Sequence, residues 1–148
     1  MGCKVLVTGA FSSAGRSMIE ALGADSVTLL ACDCKIDAID APTPEHCFRV
    51  HRSDDPEFVG DVVTLCVLHD VDVVVPTRAA DQLALARVRK LFEELGARVW
   101  LAPIPEHATR SQARRILQLG ERGRTKGQVG SWLRRWSGRN DVDTTSPS

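Results

Sequence analysis

The residues best placed to do chemistry lie in one short segment, Thr8-Gly9-Ala10-Phe11-Ser12-Ser13-Ala14-Gly15. Small residues between an apolar run and an amphipathic one predict a tight strand-to-helix turn. Such a turn aims backbone N–H groups and the helix dipole at one spot, which suits a phosphate or a carboxylate. Asp33 closes the next apolar run, at the position where an acid would accept hydrogen bonds from a ribose. The glycine fingerprint of dinucleotide binding is incomplete, however. Gly9 and Gly15 are present, but Ser12 fills the centre and Phe11 places a ring where a pyrophosphate needs small neighbours. A turn that holds no ligand is the open alternative.

Other chemistries find less support. No Gly-Lys-Ser/Thr loop is present, which excludes a P-loop nucleotidase. The chain contains no tyrosine, the residue a short-chain dehydrogenase or epimerase usually uses in catalysis. Cys32-x-Cys34 with His46-Cys47 matches no familiar zinc spacing, and Cys32 sits inside an apolar run. The histidines at 46, 51, 69 and 107 show no paired spacing on a helix, so capping or solvent-facing roles are the default. No catalytic residue and no metal ligand is assigned.

The elements that position the turn follow from hydrophobic periodicity. Lys4–Thr8 predicts a buried strand, and Ser13 a cap for a helix from Ala14 to about Leu22, stopped by Gly23. Val27–Cys32 predicts a second strand, residues 34–46 a proline-broken loop, and Cys47–Val50 a short edge strand. Ser53-Asp54-Asp55-Pro56 opens a helix carrying Phe58, Val62, Leu65 and Cys66 on one face. Val71–Pro76 is the plainest strand. A long helix from Ala79 to Leu95, a strand at Arg98–Ala102 and a helix from Pro105 to Leu119 complete the alternation. Strands alternating with helices predict an α/β fold: a Rossmann-like open parallel sheet with helices on both faces.

Composition agrees with one soluble domain: 43% of the 148 residues are hydrophobic and 26% charged. No run approaches the roughly 18 apolar residues of a membrane span. The start, Met-Gly-Cys-Lys, has neither a signal-peptide layout nor an acylation motif. Five cysteines without framework spacing predict a reducing, cytoplasmic setting. The zero net charge conceals a split. Residues 1–109 hold 10 Lys+Arg against 16 Asp+Glu, a net −6, whereas residues 110–148 hold 9 against 3, a net +6. From 120 onward periodicity dissolves into a basic, Gly- and Ser-rich end, expected to be disordered or partly helical. Arg114, Arg115, Arg134 and Arg135 cluster in the basic part from 110 onward, but no recognition motif accompanies them, so nucleic acid is not the expected partner.

Several short motifs in fixed order carry a likeness. Val5 to Gly15, Ala31-Cys-Asp33, Asp54-Asp-Pro-Glu-Phe58, Val71 to Thr77 and Leu101-Ala-Pro103 together resemble the N-terminal domain of ATP-grasp ligases. The closest branch is the carbamoyl-phosphate-synthase-like and pyrrolysine-biosynthesis-ligase-like one, and the likeness spans residues 3–119. The resemblance implies a pre-ATP-grasp domain at 1–119 followed by the basic end at 120–148. It implies a substrate side of the cleft formed by Gly9, Ala10, Phe11, Ser12, Ser13 and Gly15, with Asp33, and by the Pro76-Thr77 corner with Asp81. In the full-length family Mg-ATP activates a carboxylate for attack by an amine, using residues of later lobes. The implied reading is therefore the substrate-side part of such a ligase, truncated, inactive alone and binding no cofactor itself. Its implied partners are an ATP-grasp catalytic lobe or chain, a small carboxylate substrate and a second copy as a homodimer.

Three positions depart from the family pattern. Phe11 replaces a glycine, Ala79-Ala80-Asp81-Gln82 keeps only the second of two acids, and Gln112-Ala113 stands where an Asp-Lys pair is usual. The basic end has the composition of a frame-shifted or decayed gene end, or of a flexible tail. An NAD(P)-binding module of epimerase or oxidoreductase type is the alternative function on the same fold.

Overall fold

The computed structural model describes residues 3–23, 27–36 and 46–122. The proline-containing stretch 37–45 and the basic end from 123, with its tryptophan pair, lie outside the described residues. Five strands form the sheet: β1 (Cys3–Thr8), β2 (Val27–Asp33), β3 (His46–Arg49), β4 (Val73–Pro76) and β5 (Arg98–Val99). Their order is β3-β2-β1-β4-β5, and every pairing is parallel. The helices are α1 (Ser13–Leu22), α2 (Glu57–His69), α3 (Ala79–Ala86), α4 (Arg89–Glu94) and α5 (Arg110–Arg122). The chain is thus the expected α/β protein with a Rossmann-like open parallel sheet.

Side chains of a strand alternate between faces, and here both faces are dry. Val5 and Val7 of β1, with Val73 and Val75 of β4, pack on Met18, Ile19 and Leu22 of α1 and on Ala113 and Ile116 of α5. Leu6, Leu30, Cys32 and Val74 face the other way, onto Phe58, Val62, Leu65, Leu85 and Phe92 of α2, α3 and α4. Burial on both sides explains why β1 and β4 read as continuous apolar runs rather than alternating ones. Among the described residues no helix is long and apolar enough to cross a membrane.

Local chemistry moved several boundaries. The α1 cap is Ser12, not Ser13: its Oγ accepts from Gly15 N at 3.0 Å. The edge strand lies at 46–49 rather than 47–50. The expected long helix is two, interrupted at Arg87–Val88, where Val88 N donates to the Leu85 carbonyl three residues back. β5 is shorter than expected because Trp100 N reaches Val74 O, and the next rung of a parallel ladder would need an N–H at Pro76. The last helix starts at Arg110, five residues later than expected. Thr109 and Gln112 cap it reciprocally: Thr109 Oγ1 accepts from Gln112 N at 3.2 Å, and Gln112 Oε1 from Thr109 N at 3.0 Å. It then continues to Arg122 through the buried Gly120, which lies against Cys3 and Val73.

Phe92 is fully buried under the β4 side of the sheet. Phe92→Ala should lower the unfolding free energy by about 3–5 kcal/mol in urea titration. A loss below about 1 kcal/mol would show that α4 does not close this core.

Candidate functional site

The strand order reverses between β1 and β4, and ligands of open α/β sheets bind at such a switch point, beyond the strand carboxyl ends. A cavity of about 380 Å³ lies there. Its wall is built from the residues that follow the strands: Gly9 after β1, Cys34 and Lys35 after β2, His51, Arg52 and Ser53 after β3, and Arg78 and Asp81 after β4. Asp33, the last residue of β2, forms the inner wall. An outer cleft of about 580 Å³ shares Cys34, Val50, His51 and Arg52 with it and opens toward Asp54, Asp55 and Asp61.

Four amides of the glycine turn that faces this region are engaged within the protein. Ala10 N donates to Cys32 O at 3.2 Å, Phe11 N to Asp33 Oδ2 at 2.9 Å, Ser12 N to Gly9 O at 3.0 Å, and Gly15 N to Ser12 Oγ. Gly9 has φ +63°, and a Cβ there would approach Thr77 Oγ1 to 2.6 Å and Arg78 Cγ to 3.1 Å. A Cβ on Gly15 would collide with the Gly9 carbonyl. Both glycines are therefore required by the chain's own packing. Thr77 Oγ1 donates to Thr8 O at 2.7 Å and locks the corner after β4 onto the end of β1.

Asp33 is the centre of the arrangement. Its side chain is 1% exposed and Arg78 clasps it in a fork, Nη1 to Oδ1 at 2.6 Å and Nη2 to Oδ2 at 3.0 Å. Cys34 N adds a bond to Oδ1 at 2.7 Å and Phe11 N one to Oδ2. A carboxylate offers about four acceptor positions, and all are filled. Burial pushes the Asp33 carboxyl up, but the Arg78 fork and the two amides outweigh it and hold the pKa below the usual value. Asp81 behaves oppositely. Burial raises its pKa, only partly opposed by the hydroxyls of Thr8 (2.9 Å) and Ser53 and by the Arg78 charge.

Toward the mouth the charges are mixed. Asp33 pairs with Arg78, Arg52 Nε lies 3.5 Å from Asp54 Oδ1, and Lys35 adds a further cation. His51 Nδ1 lies 2.6 Å from Asp61 Oδ2, and this contact raises the His51 pKa, so its cationic form persists to higher pH. Burial raises the Cys32 and Cys66 thiols, which stay neutral packing groups. Among the described residues no three metal-ligating side chains converge.

The sequence-derived site is thus only partly gathered around the cavity. Gly9, Asp33 and Asp81 line it. Ala10 is fully buried under α1, Pro76 is the last residue of β4, and Thr77 and Ser12 hold the turn together. Phe11 lies beside the guanidinium of Arg16, 6.0 Å from its ring centre, and Ser13 is exposed on the first turn of α1. Missing from the sequence reading were Lys35, His51, Arg52, Ser53 and above all Arg78. One signal would have found them: each lies two to four residues past the end of a strand, at the sheet edge where ligands of this fold bind.

These features define a Rossmann-like domain with a switch-point cavity closed by an internal Arg–Asp clasp. No protein-family description matches the sequence, and no curated protein does. Among solved structures, glycinamide-RNase-transformylase T from Mycobacterium tuberculosis is similar with a TM-score of 0.48 at 20% identity, over 65% of this chain and 28% of that one. A dTDP-glucose 4,6-dehydratase from Bacillus anthracis str. Ames, in complex with NAD, gives a TM-score of 0.47 at 13% identity, over 80% of this chain and 49% of that one. The chain thus spans well under two thirds of either protein. Neither likeness decides an activity.

Two outcomes test the geometry. Gly9→Ala forces a side chain into the left-handed region and against Thr77, and should cost at least about 1–2 kcal/mol in urea unfolding. A neutral result would mean that the corner is not packed on the turn. Because the folded pKa of Asp33 is depressed, its contribution is complete above the ordinary Asp value of about 3.9 and is lost as pH falls through the lowered value. The stability gap between the wild type and Asp33→Asn should therefore be widest near neutrality and shrink below about pH 4. A gap that stays constant with pH would remove the clasp as its source.

Proposed function

We propose that this chain is a substrate-side domain of the pre-ATP-grasp kind, holding a small carboxylate for a carboxylate–amine ligase whose ATP chemistry is supplied by an ATP-grasp lobe or chain. The observation that carries the reading is the cavity itself: small, at the switch point, with Asp33 sealed behind Arg78 and the basic side chains of Arg78, Lys35, His51 and Arg52 on its wall. The order of short motifs resembling that family supports it independently. The domain has no assigned catalytic residue, and alone it turns nothing over.

Neither nucleotide cofactor suits these residues. A dinucleotide would need Asp33 to accept from a ribose diol, and its acceptor positions are filled. The amides of Ala10, Phe11, Ser12 and Gly15 are bonded within the protein, and Phe11 adds a ring to the turn. Mg-ATP would need carboxylates free to ligate a cation. Asp33 is committed to Arg78, and Asp81 accepts from Thr8 Oγ1 at 2.9 Å.

Thermal unfolding separates the readings. Succinate at a hundred times its dissociation constant should stabilise the chain by about 2.7 kcal/mol, while NAD, NADP and Mg-ATP leave the Tm unchanged. A clear rise with NAD would favour an oxidoreductase-type module instead, and ATP hydrolysis by the purified chain would contradict the division of labour proposed.

A further inference from the structure

We propose that Arg78 sets what this cavity accepts: clasped to Asp33, it fills the place of a ribose diol and turns its remaining N–H groups toward a small oxyanion, carboxylate or phosphate. The inference rests on the cavity being an anion site, and it adds the residue that makes it one.

A guanidinium carries five N–H donors in a rigid fork. Two of them reach Asp33, one from each terminal nitrogen. Nε–H and the second hydrogen of each terminal nitrogen remain. The side chain is 39% exposed and lines the cavity, whereas its partner Asp33 is sealed at 1%. Asp33 therefore aims the guanidinium without being able to touch a ligand itself. The stem is fixed as well. Its Cγ passes over Gly9, and the residue before it is tied to β1 through Thr77 Oγ1.

Position and chemistry together decide selectivity. The Arg78 stem crosses the glycine that a pyrophosphate would have to approach, and its head occupies the acid that a ribose would need. A small oxyanion needs neither. It requires only donors converging in one plane, which arginine supplies and lysine does not.

Calorimetric titration of the full chain with succinate and with inorganic phosphate tests this on the wild type, Arg78→Lys and Asp33→Asn, each first shown folded by circular dichroism. Arg78→Lys should weaken the bound anion by about tenfold. Asp33→Asn removes the group that aims the fork and should weaken binding by roughly threefold. Wild-type binding that either substitution leaves intact overturns the assignment. Binding of phosphate without succinate would sink the carboxylate-ligase reading yet leave Arg78 in this role. No binding of either anion by the wild type would end both.

Discussion

The bidentate contact between Arg78 and Asp33 joins the corner after β4 to the end of β2, across the turn that leaves β1. Three strand ends are thereby held in one arrangement. Gly9 must lack a side chain for Arg78 and Thr77 to lie over it, and Phe11 N must point at Asp33 to complete its hydrogen bonds. Stability itself comes from elsewhere, from the apolar layers on both faces of the sheet. A partly buried ion pair repays little more than its desolvation, but removing one partner leaves a buried charge uncompensated. The clasp therefore specifies a geometry more than it supplies net stability.

Much of the architecture was legible in the sequence because both layers obey simple periods. Apolar runs at β1 and β4, and the 3–4 spacing of Phe58, Val62, Leu65 and Cys66, leave few options besides a parallel sheet between helices. Boundaries were less legible, for reasons that differ case by case. The interruption at Val88 has no glycine or proline to announce it, and the apolar spacing runs straight through. β5 ends early through a missing donor on its neighbour, Pro76, which no inspection of 98–102 alone could reveal. The start of α5 was readable. Thr109-Arg-Ser-Gln112 is a reciprocal cap, and Pro105, though compatible with a first helical turn, lies before it.

The site divides along the same line. An acid closing β2 is a local pattern, so Asp33 could be picked out from its position. What fills that acid is a tertiary matter: Arg78 is 45 residues away, and nothing between them advertises the pairing. Asp81 and Gly9 were likewise identifiable as residues, but their bonding was not. Local patterning locates groups at the sheet edge. Only the fold tells whether they face a ligand or each other.

A glycine-containing turn followed by an acid is consequently ambiguous in physical terms. Glycine at 9 and 15 answers a steric demand, and the demand can come from a pyrophosphate or from the protein's own backbone and side chains. Here the atoms nearest a Cβ at Gly9 belong to Thr77, Arg78 and Asp81, and those nearest a Cβ at Gly15 belong to Gly9 and Ala10. The discriminating quantity is the hydrogen-bonding state of the turn amides and of the acid, since a ligand can use only groups that the fold leaves open. With Asp33 filled and the amides of Ala10, Phe11, Ser12 and Gly15 bonded within the protein, the polar groups lining the cavity are side chains just beyond the strand ends, among them Lys35, His51, Arg52 and Arg78. An extended cofactor needs a continuous backbone cradle, whereas the compact anion proposed above needs only a few converging side-chain donors.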